Sequence, residues 1–250
     1  MEKNTIRSLD RGLAILSCFD IHTESLALNQ IAERVNLSVA TSLRFVNALV
    51  EYGFLKKTDG KRYSLGMKAY ILGVVAMSHF KIHRVAQPIM TALRDETREA
   101  ISLYTFEDEE RVCCQHVESL LSMRCAVRVG ERFPLWAGAS GKCLLAYAAP
   151  EVVEREMAKL HAMTDSTIVD RDSFLKELQQ VRETEQAVSH GEREQGIVSL
   201  AVPIFTTRNQ VDYVLSVAAP ASRATPELVR KYIALSKDAA RKIARQIYGW

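Results

Sequence analysis

The chain has 250 residues, 48% hydrophobic and 25% charged, a composition typical of a globular protein and a length sufficient for two domains. Its formal net charge of +3 is too small to identify a nucleic-acid-binding protein by itself. The distribution is more informative, since residues 1–80 hold ten Lys and Arg against seven Asp and Glu, while residues 81–250 hold 23 of each. The whole positive excess therefore lies in the first third of the chain.

The sequence also argues against a secreted or membrane protein. Its polar start, MEKNTIRSLDR, is unlike a secretion signal, and no apolar run reaches the about 18 residues of a membrane helix. The cysteines form no CxxC pair and show no metal-ligand spacing: Cys18, Cys113, Cys114, Cys125 and Cys143. We expect a cytoplasmic protein with reduced thiols, no bound metal, no cofactor and no contact with membranes.

Residues 29–65 show the pattern of helix, tight turn, helix and short β-hairpin that is typical of a winged helix-turn-helix. Ser8 is the predicted N-cap of a preceding helix, Asn29 that of the second helix and Ser38 that of the third. Asn36 is suited to the left-handed conformation of a sharp turn. The predicted apolar stripe of the first helix comprises Leu9, Leu13 and Leu16, with Ile15 and Phe19 beside them.

The third helix has the periodicity of a recognition helix. Its buried stripe is predicted to be Ser42, Phe45, Val46 and Leu49, which places Val39, Ala40, Thr41, Leu43 and Arg44 on the opposite face. Small residues allow close approach to DNA, Thr41 can bind a phosphate or base, and Arg44 can pair with guanine or phosphate. Leu43 could contact a thymine methyl, although a different helix phase would also explain it. The predicted DNA contacts on this helix are Ser38, Ala40, Thr41, Leu43 and Arg44.

A basic hairpin follows Gly53. Residues 54–57 and 62–65 are predicted strands, and Asp59-Gly60 is a two-residue turn between them. We interpret its four cations as phosphate contacts of a wing: Lys56, Lys57, Lys61 and Arg62. The alternative is a solvated edge strand that lysines protect from aggregation.

Two helices are predicted next. Residues 66–80 are apolar nearly all round, which favours a dimer interface within a linker between domains. The stretch 81–98 has inward positions Ile82, Val85, Ile89 and Leu93, with Pro88 expected to kink or restart the helix. The predicted division is a DNA-binding domain at 1–65, a linker helix at 66–80 and a sensor domain at 81–250.

From Ala100 the pattern changes to short strands with interspersed helices. ISLYTF, RVCCQHV, MRCAVRV, IVSLAVPIF and QVDYVLSVAAP are predicted strands, the last two joined by the turn TTRN. Helices are predicted at 142–148, 151–160, 171–186 and after Pro226. A sheet of about five or six strands with such helices indicates an α+β sensor module.

The stretch 137–141, AGASG, precedes a predicted helix, whose free N–H groups and dipole form a natural anion site. Alternatively, its glycines only allow tight packing, and Trp136 either walls a pocket or fills the core. Catalytic candidates are weak: Ser140 lacks the G-x-S-x-G pattern, Glu192 and Glu194 lie in an exposed-looking loop, and His79 and His83 lack a third zinc ligand. An enzyme fused to a DNA-binding arm and a protein-binding adaptor remain as alternative functions.

Several segments together resemble the IclR family of bacterial transcriptional regulators. They are SLDRGLAIL, LNQIAERVNLSVATSLRFVNALVEYGFL, YSLGMKAYILG, PLWAGASGKCLLAY and GEREQGIVSLAVPIF, in order along nearly the whole chain. The resemblance implies two domains joined by a linker helix: an N-terminal winged helix-turn-helix, mainly α with a β-hairpin wing, and a C-terminal α+β GAF-like effector-binding domain. It also implies homodimers, commonly tetramers, that bind palindromic promoter DNA and respond to a small effector.

The same resemblance implies the positions of an effector pocket. They are Ala139, Ser140 and Gly141, together with Ser189, Ile197, Ser199, Ser216 and Ala218. To these we add two further predicted pocket residues, Trp136, which lies just before the loop, and Cys125. The chain departs from the family where Ser189 replaces a frequent acid and Leu43 a polar or aromatic residue. We expect a repressor or activator, not an enzyme, controlled by a small organic acid whose body is aromatic or apolar.

Overall fold

The computed structural model describes residues 6–206 and 210–249, so part of the predicted TTRN turn lies outside the described residues. The chain divides into two compact units, with the boundary after Phe80. Among the described residues, none of the helices combines the length and the apolar character needed to cross a bilayer.

The first unit is a small helical domain with a three-stranded sheet. Its elements are α1 (Arg7–Leu16), β1 (Leu26–Ala27), α2 (Leu28–Arg34), α3 (Val39–Glu51), β2 (Leu55–Thr58), β3 (Arg62–Leu65) and α4 (Met67–His79). The sheet order is β1-β3-β2, all antiparallel. One apolar core holds it together: Ile15, Phe19, Leu26, Ile31, Val46, Leu55 and Tyr63.

The turn between α2 and α3 is as predicted. Asn36 has φ of 51°, in the left-handed region. The Ser38 hydroxyl accepts a hydrogen bond from the Thr41 N–H and so caps α3. Two other predicted caps are wrong, because α1 begins at Arg7, before Ser8, and α2 begins at Leu28, before Asn29.

The predicted stripe of α1 is only partly correct. Ile15 and Phe19 are buried, but Leu9 and Leu13 are 55% and 53% exposed. Leu13 precedes Ile15 by two residues, about 200° around a helix, so burying Ile15 turns Leu13 outward. The unit therefore leaves an apolar face on α1.

The wing differs from prediction in its loop. Thr58 pairs with Arg62, so three residues, Asp59–Lys61, connect the strands. Gly60 and Lys61 both have positive φ, 72° and 60°. The predicted two-residue turn is therefore wrong, and the unpredicted strand β1 lies on the other side of β3.

The linker helix forms as α4, and none of its residues is buried. Seven large apolar side chains on it are about half exposed or more: Met67, Tyr70, Ile71, Leu72, Val74, Val75 and Met77. A helix with apolar residues on every side leaves large surfaces that water solvates poorly.

The second unit is a six-stranded antiparallel sheet with helices on both faces. It comprises α5 (Lys81–Thr97), β4 (Ala100–Glu107), β5 (Glu110–Val117), β6 (Arg132–Phe133), α6 (Ala139–Ala146), α7 (Pro150–Met157), α8 (Arg171–Thr184), β7 (Ala187–His190), β8 (Ile197–Phe205), β9 (Val211–Pro220) and α9 (Pro226–Tyr248). The strand order is β6-β5-β4-β9-β8-β7. One core lies between the sheet and the pair α5 and α9, and a second lies under α6, α7 and α8.

Four predictions for this unit need correction. Residues 123–129 form no strand, because Arg132 and Phe133 occupy the place beside β5. Helix α6 begins at Ala139 rather than Lys142. Helix α8 ends at Thr184, since Glu185 is left-handed, and the next residues form the unpredicted β7. Helix α5 is continuous through Pro88, and Ile89 is only partly buried.

Candidate functional sites: a helix face and a cleft

The outer face of α3 is the first candidate site. Ser42 and Val46 are fully buried on the inner side, and Val39, Ala40, Leu43 and Arg44 are exposed on the outer side. The helix phase is therefore the predicted one. The hydroxyls of Ser38 and Thr41 lie 2.8 Å apart and hydrogen bond each other at the start of the helix. This face therefore presents three exposed apolar side chains and the exposed side chain of Arg44.

The four cations of the hairpin differ in their surroundings. Lys56, Lys57 and Lys61 are exposed to solvent. Arg62 is half-buried, its Nε donating to the Ser25 hydroxyl at 2.9 Å and its Nη2 to the Ser25 carbonyl at 2.6 Å. Arg62 therefore ties β3 to the loop before β1, and the three lysines are the exposed cations of the wing.

The second candidate site is a cleft in the second unit that encloses about 460 Å³ of space between its walls, including its open mouth. It lies between the start of α6, the strands of the sheet and the residues that follow β7. Seven of the predicted pocket residues line it: Cys125, Ser140, Ser189, Ile197, Ser199, Ser216 and Ala218. Segments distant in sequence thus meet at one place.

Three predicted pocket residues lie elsewhere. Trp136 is 3% exposed and packs in the core, with its ring centroid 4.4 Å from that of His161. Ala139 is fully buried in the same core. A Cβ on Gly141 would lie 2.2 Å from the Leu135 carbonyl oxygen, so glycine is needed there for close packing of α6. For Gly141 the packing alternative is the correct one.

Other lining residues were not predicted: Tyr104, Arg111, Val127, Gly138, Glu192, Arg193 and Glu194. Arg111 had a recognisable signal, because burial alternates along β5 and Arg111 falls in the same phase as the buried Cys113. A charged residue in the inward phase of a strand indicates a functional position. Glu192 was considered only as a solvated carboxylate, yet it is 6% exposed.

Arg111 is the least compensated charge in the cleft. It is 3% exposed, its Nη1 donates to the Ser140 hydroxyl at 2.6 Å, and its Nε has no hydrogen-bond partner. Its guanidinium carbon lies 5.2 Å from the ring centroid of Tyr104 and 4.9 Å from that of Phe133. These two rings form cation–π contacts with the guanidinium but do not accept conventional hydrogen bonds from it. Burial lowers the pKa of Arg111 to about 10, so the group stays charged at neutral pH.

Lys142 is a second buried cation, and it is fully paired. Its side chain is 0% exposed, and Nζ donates to Glu192 Oε1 at 2.6 Å, Glu177 Oε1 at 2.8 Å and the Val188 carbonyl at 3.0 Å. The other oxygen of Glu192 accepts from the Gly138 N–H at 3.4 Å. Lys142 thereby joins α6, α8 and the cleft wall.

The cleft contains no arrangement typical of metal binding or nucleophilic catalysis. Among the residues that the structure describes, no three His, Cys, Asp or Glu side chains are close enough to hold a metal ion. Ser140 receives a hydrogen bond from a guanidinium rather than facing a base. What the cleft offers is a buried positive charge, hydroxyl groups and the N-terminal end of a helix, which suit a small polar ligand.

Comparisons with known proteins cover nearly the whole chain. The family profile described as "Bacterial transcriptional regulator IclR C-terminal" matches residues 74–245, and that described as "IclR helix-turn-helix domain" matches residues 8–59. The Pca regulon regulatory protein of Pseudomonas putida is similar at 32% identity over 97% of this chain and 84% of that protein.

Solved structures of similar proteins have the same fold. An IclR transcriptional regulator from Silicibacter sp. TM1040 superposes with a TM-score of 0.89 at 27% identity over 97% of each chain. An IclR homologue from Microbacterium hydrocarbonoxydans, solved with 4-hydroxybenzoate, superposes with a TM-score of 0.86 over 97% of this chain and 100% of that chain. At 24% identity the second likeness concerns the fold.

Proposed function

This chain belongs to the IclR family of bacterial transcriptional regulators, and from that membership we propose how its surfaces serve regulation. It is a DNA-binding regulator with an N-terminal helix-turn-helix and a C-terminal effector-binding domain, and it is not an enzyme. Our proposal is that a homodimer, assembled further into a tetramer, binds a palindromic promoter site in the cytoplasm and is controlled by a small carboxylate.

The observation that carries the DNA-binding proposal is the outer face of α3. Ala40 and Val39 are small enough for close approach to base edges, Leu43 suits a thymine methyl, and Arg44 extends beside them with its guanidinium in solvent. Ser38 and Thr41, at the positive end of the helix, are placed for phosphate contact. The wing lysines Lys56, Lys57 and Lys61 would contact the DNA phosphates. Arg62 instead holds the strand β3 through its hydrogen bond to Ser25.

The apolar faces of α4 and α1 support pairing of two chains. Ile71 and Val75 are 47% and 49% exposed and lie one turn apart on α4, and Leu9 and Leu13 are similarly exposed on α1. Apolar surface of this extent, on the unit that would bind DNA, suits a second copy of the same unit. Pairing there would set the two α3 helices about one DNA turn apart, roughly 34 Å or a multiple of it.

The cleft supports control by a small acid. Its walls combine the N-terminus of α6, the charged Arg111 and the hydroxyls of Ser140, Ser189 and Ser199. Most of its lining side chains are polar, which favours a ligand with hydrogen-bonding groups over the apolar or aromatic body expected from the sequence. Binding would favour one arrangement of the helices in residues 66–98 over another, and the spacing of the two α3 helices would change with it.

A gel-shift titration on DNA upstream of the chain's own gene tests the proposal. We expect sequence-selective binding that weakens steeply with salt, because several lysines and arginines displace counterions from phosphates. Small carboxylates added to the complex should change its affinity. Equal binding to the promoter and to unrelated DNA of the same length would contradict the proposal.

The role of α4 is tested with the double variant Ile71→Glu/Val75→Glu. Two buried carboxylates on one helical face would oppose association, so we expect a smaller particle in sedimentation and at least roughly tenfold weaker operator binding, since one half-site alone is held. Gln179→Glu/Gln180→Glu, which adds two carboxylates to an exposed part of α8 in the other unit, is the matched control. Particle mass and operator affinity both equal to those of the wild type would contradict pairing through α4.

A further inference from the structure

We infer that Arg111 is the group that recognises the effector, and that the cleft is selective for ligands with a single carboxylate. This inference rests on the proposed function, because it takes the cleft as the effector site. It adds a residue outside the segments that carried the family resemblance, and it specifies the charge of the ligand.

Arg111 carries a buried charge that has no acidic partner among the described residues. Arg111 is 3% exposed, and among the described residues no carboxylate forms an ion pair with it. In the described part of the chain its one acceptor is the Ser140 hydroxyl at 2.6 Å, and its buried Nε donor has no partner there. Buried guanidinium groups are normally paired with acids, so this one is built for an anion that arrives from outside.

The N-terminal end of α6 lies beside the Arg111 guanidinium. Ser140 lies in the first turn of α6, whose N-cap is Gly138 with φ of 85°. Both residues line the cleft, and the guanidinium nitrogens lie 3.5 Å and 3.9 Å from the position a Gly138 Cβ would take. Guanidinium, hydroxyl and the positive end of a helix therefore converge on one location, where each of them favours a carboxylate.

The other charged side chains of the cleft wall are neutralised by ion pairs. Glu192 is held by Lys142 at 2.6 Å, and Arg193 lies 3.4 Å from Glu194 in an ion pair. Arg111 is the one cation of the described cleft wall without an acidic partner. A second carboxylate on the ligand would meet Glu192 and Glu194 and be repelled, whereas the hydroxyls of Ser189 and Ser199, opposite each other on β7 and β8, suit neutral groups.

The experiment combines ligand charge with Arg111→Met in the full-length chain. A library of aliphatic, hydroxy, keto and aromatic monocarboxylates, including 4-hydroxybenzoate, is screened by thermal shift, and each hit is compared with its primary amide and with a dicarboxylate of similar size. For the wild type we expect the carboxylate to bind roughly 10- to 100-fold more tightly than the amide, as for one charge-assisted pair. For Arg111→Met we expect carboxylate and amide to bind equally.

Stability without ligand distinguishes recognition from a structural role. Removing an uncompensated buried charge should leave the thermal midpoint of Arg111→Met unchanged or higher, whereas loss of a structural pair would lower it. Arg111→Lys, which keeps the charge but not the fork, should retain part of the preference for the carboxylate. Arg132→Met, an exposed arginine on β6, is the matched control and should bind like the wild type.

Each outcome bears on the inference. If Arg111→Met keeps the wild-type preference, or if dicarboxylates bind as well as monocarboxylates, the inference is wrong, while the proposed regulator stands as long as the hits still change DNA binding. If Arg111→Met is strongly destabilised without ligand, Arg111 is structural. If no monocarboxylate in the library binds, the inference and the carboxylate part of the proposed function both fail, but the DNA-binding part does not.

Discussion

The two units of the chain place their functional charges in opposite environments. In the first unit Arg44, Lys56 and Lys57 project into water, where their charge costs little and attracts phosphates over several ångströms. In the second unit Lys142 and Arg111 are buried and depend on partners inside the protein or on a ligand. Removing an exposed charge of the first unit should therefore leave stability unchanged, whereas removing a buried charge that is paired inside the protein, as Lys142 is in the second unit, should lower it.

The largest effect is expected for Lys142→Met. The substitution removes the cation that, among the described residues, forms an ion pair with the buried Glu192, and it also removes the ion pair of Glu177 with Lys142. Leaving a buried carboxylate unpaired typically lowers the free energy of unfolding by about 3–5 kcal/mol. Urea unfolding followed by tryptophan fluorescence measures the stability of the second unit, because both tryptophans of the chain, Trp136 and Trp250, belong to that unit.

An exposed ion pair provides the matched control. Lys242 lies 2.7 Å from Asp238 on α9, and both side chains are more than half exposed. Lys242→Met should change the free energy of unfolding by less than about 1 kcal/mol. A loss for Lys142→Met no larger than this would show that the Lys142 pairs do not hold the second unit together.

Arg44→Ala should give a smaller effect of a different kind. Because Arg44 is exposed, its loss should leave stability unchanged while operator affinity falls by about 1–3 kcal/mol and discrimination at one base pair weakens. Gel shifts on the operator and on point variants of it measure both effects. Arg84→Ala, which removes the same charge from an exposed site in the other unit, should bind like the wild type. Undiminished operator affinity would mean that another face of the unit contacts DNA.

The same contrast explains what could be predicted from the sequence. In the first unit the buried stripe of α3 repeats every three to four residues, so Ser42 and Val46 define the outer face without any tertiary information. The prediction that Leu9 and Leu13 are buried was wrong because these apolar residues lie on a face of α1 that the first unit itself does not bury. The spacing of apolar residues shows which face of a helix is apolar, but it does not show which surface packs against that face.

The cleft was less predictable because it forms from segments far apart in the chain. Arg111 and Ser140 are 29 residues apart and Lys142 and Glu192 are 50 apart, yet each pair is in hydrogen-bond contact. No local pattern reports such pairing. The family resemblance predicted Ser189, Ser199 and Ser216 on the wall, but it also named Ala139, which is buried in the core, and Gly141, which packs against the Leu135 backbone.

The smallest expected effect is the response of effector binding to pH, and it follows from the burial of Arg111 in the second unit. Burial lowers the pKa of Arg111 from its ordinary value to about 10, so the cation is still almost fully charged at pH 8.5 and loses its proton only as pH rises through about 10. On the described wall, burial raises the pKa of Cys125 to about 11 and that of Tyr104 above its ordinary value, so neither of these two groups gains charge between pH 6.5 and 8.5. The wall also carries Glu192, Arg193 and Glu194. The affinity for a carboxylate, measured by calorimetry, should therefore be constant within about twofold from pH 6.5 to 8.5 and fall towards pH 10. A histidine at the anion site would instead lose its charge near pH 6.5, so a marked decline of affinity between pH 6 and 7.5 would mean that a group other than Arg111 binds the ligand.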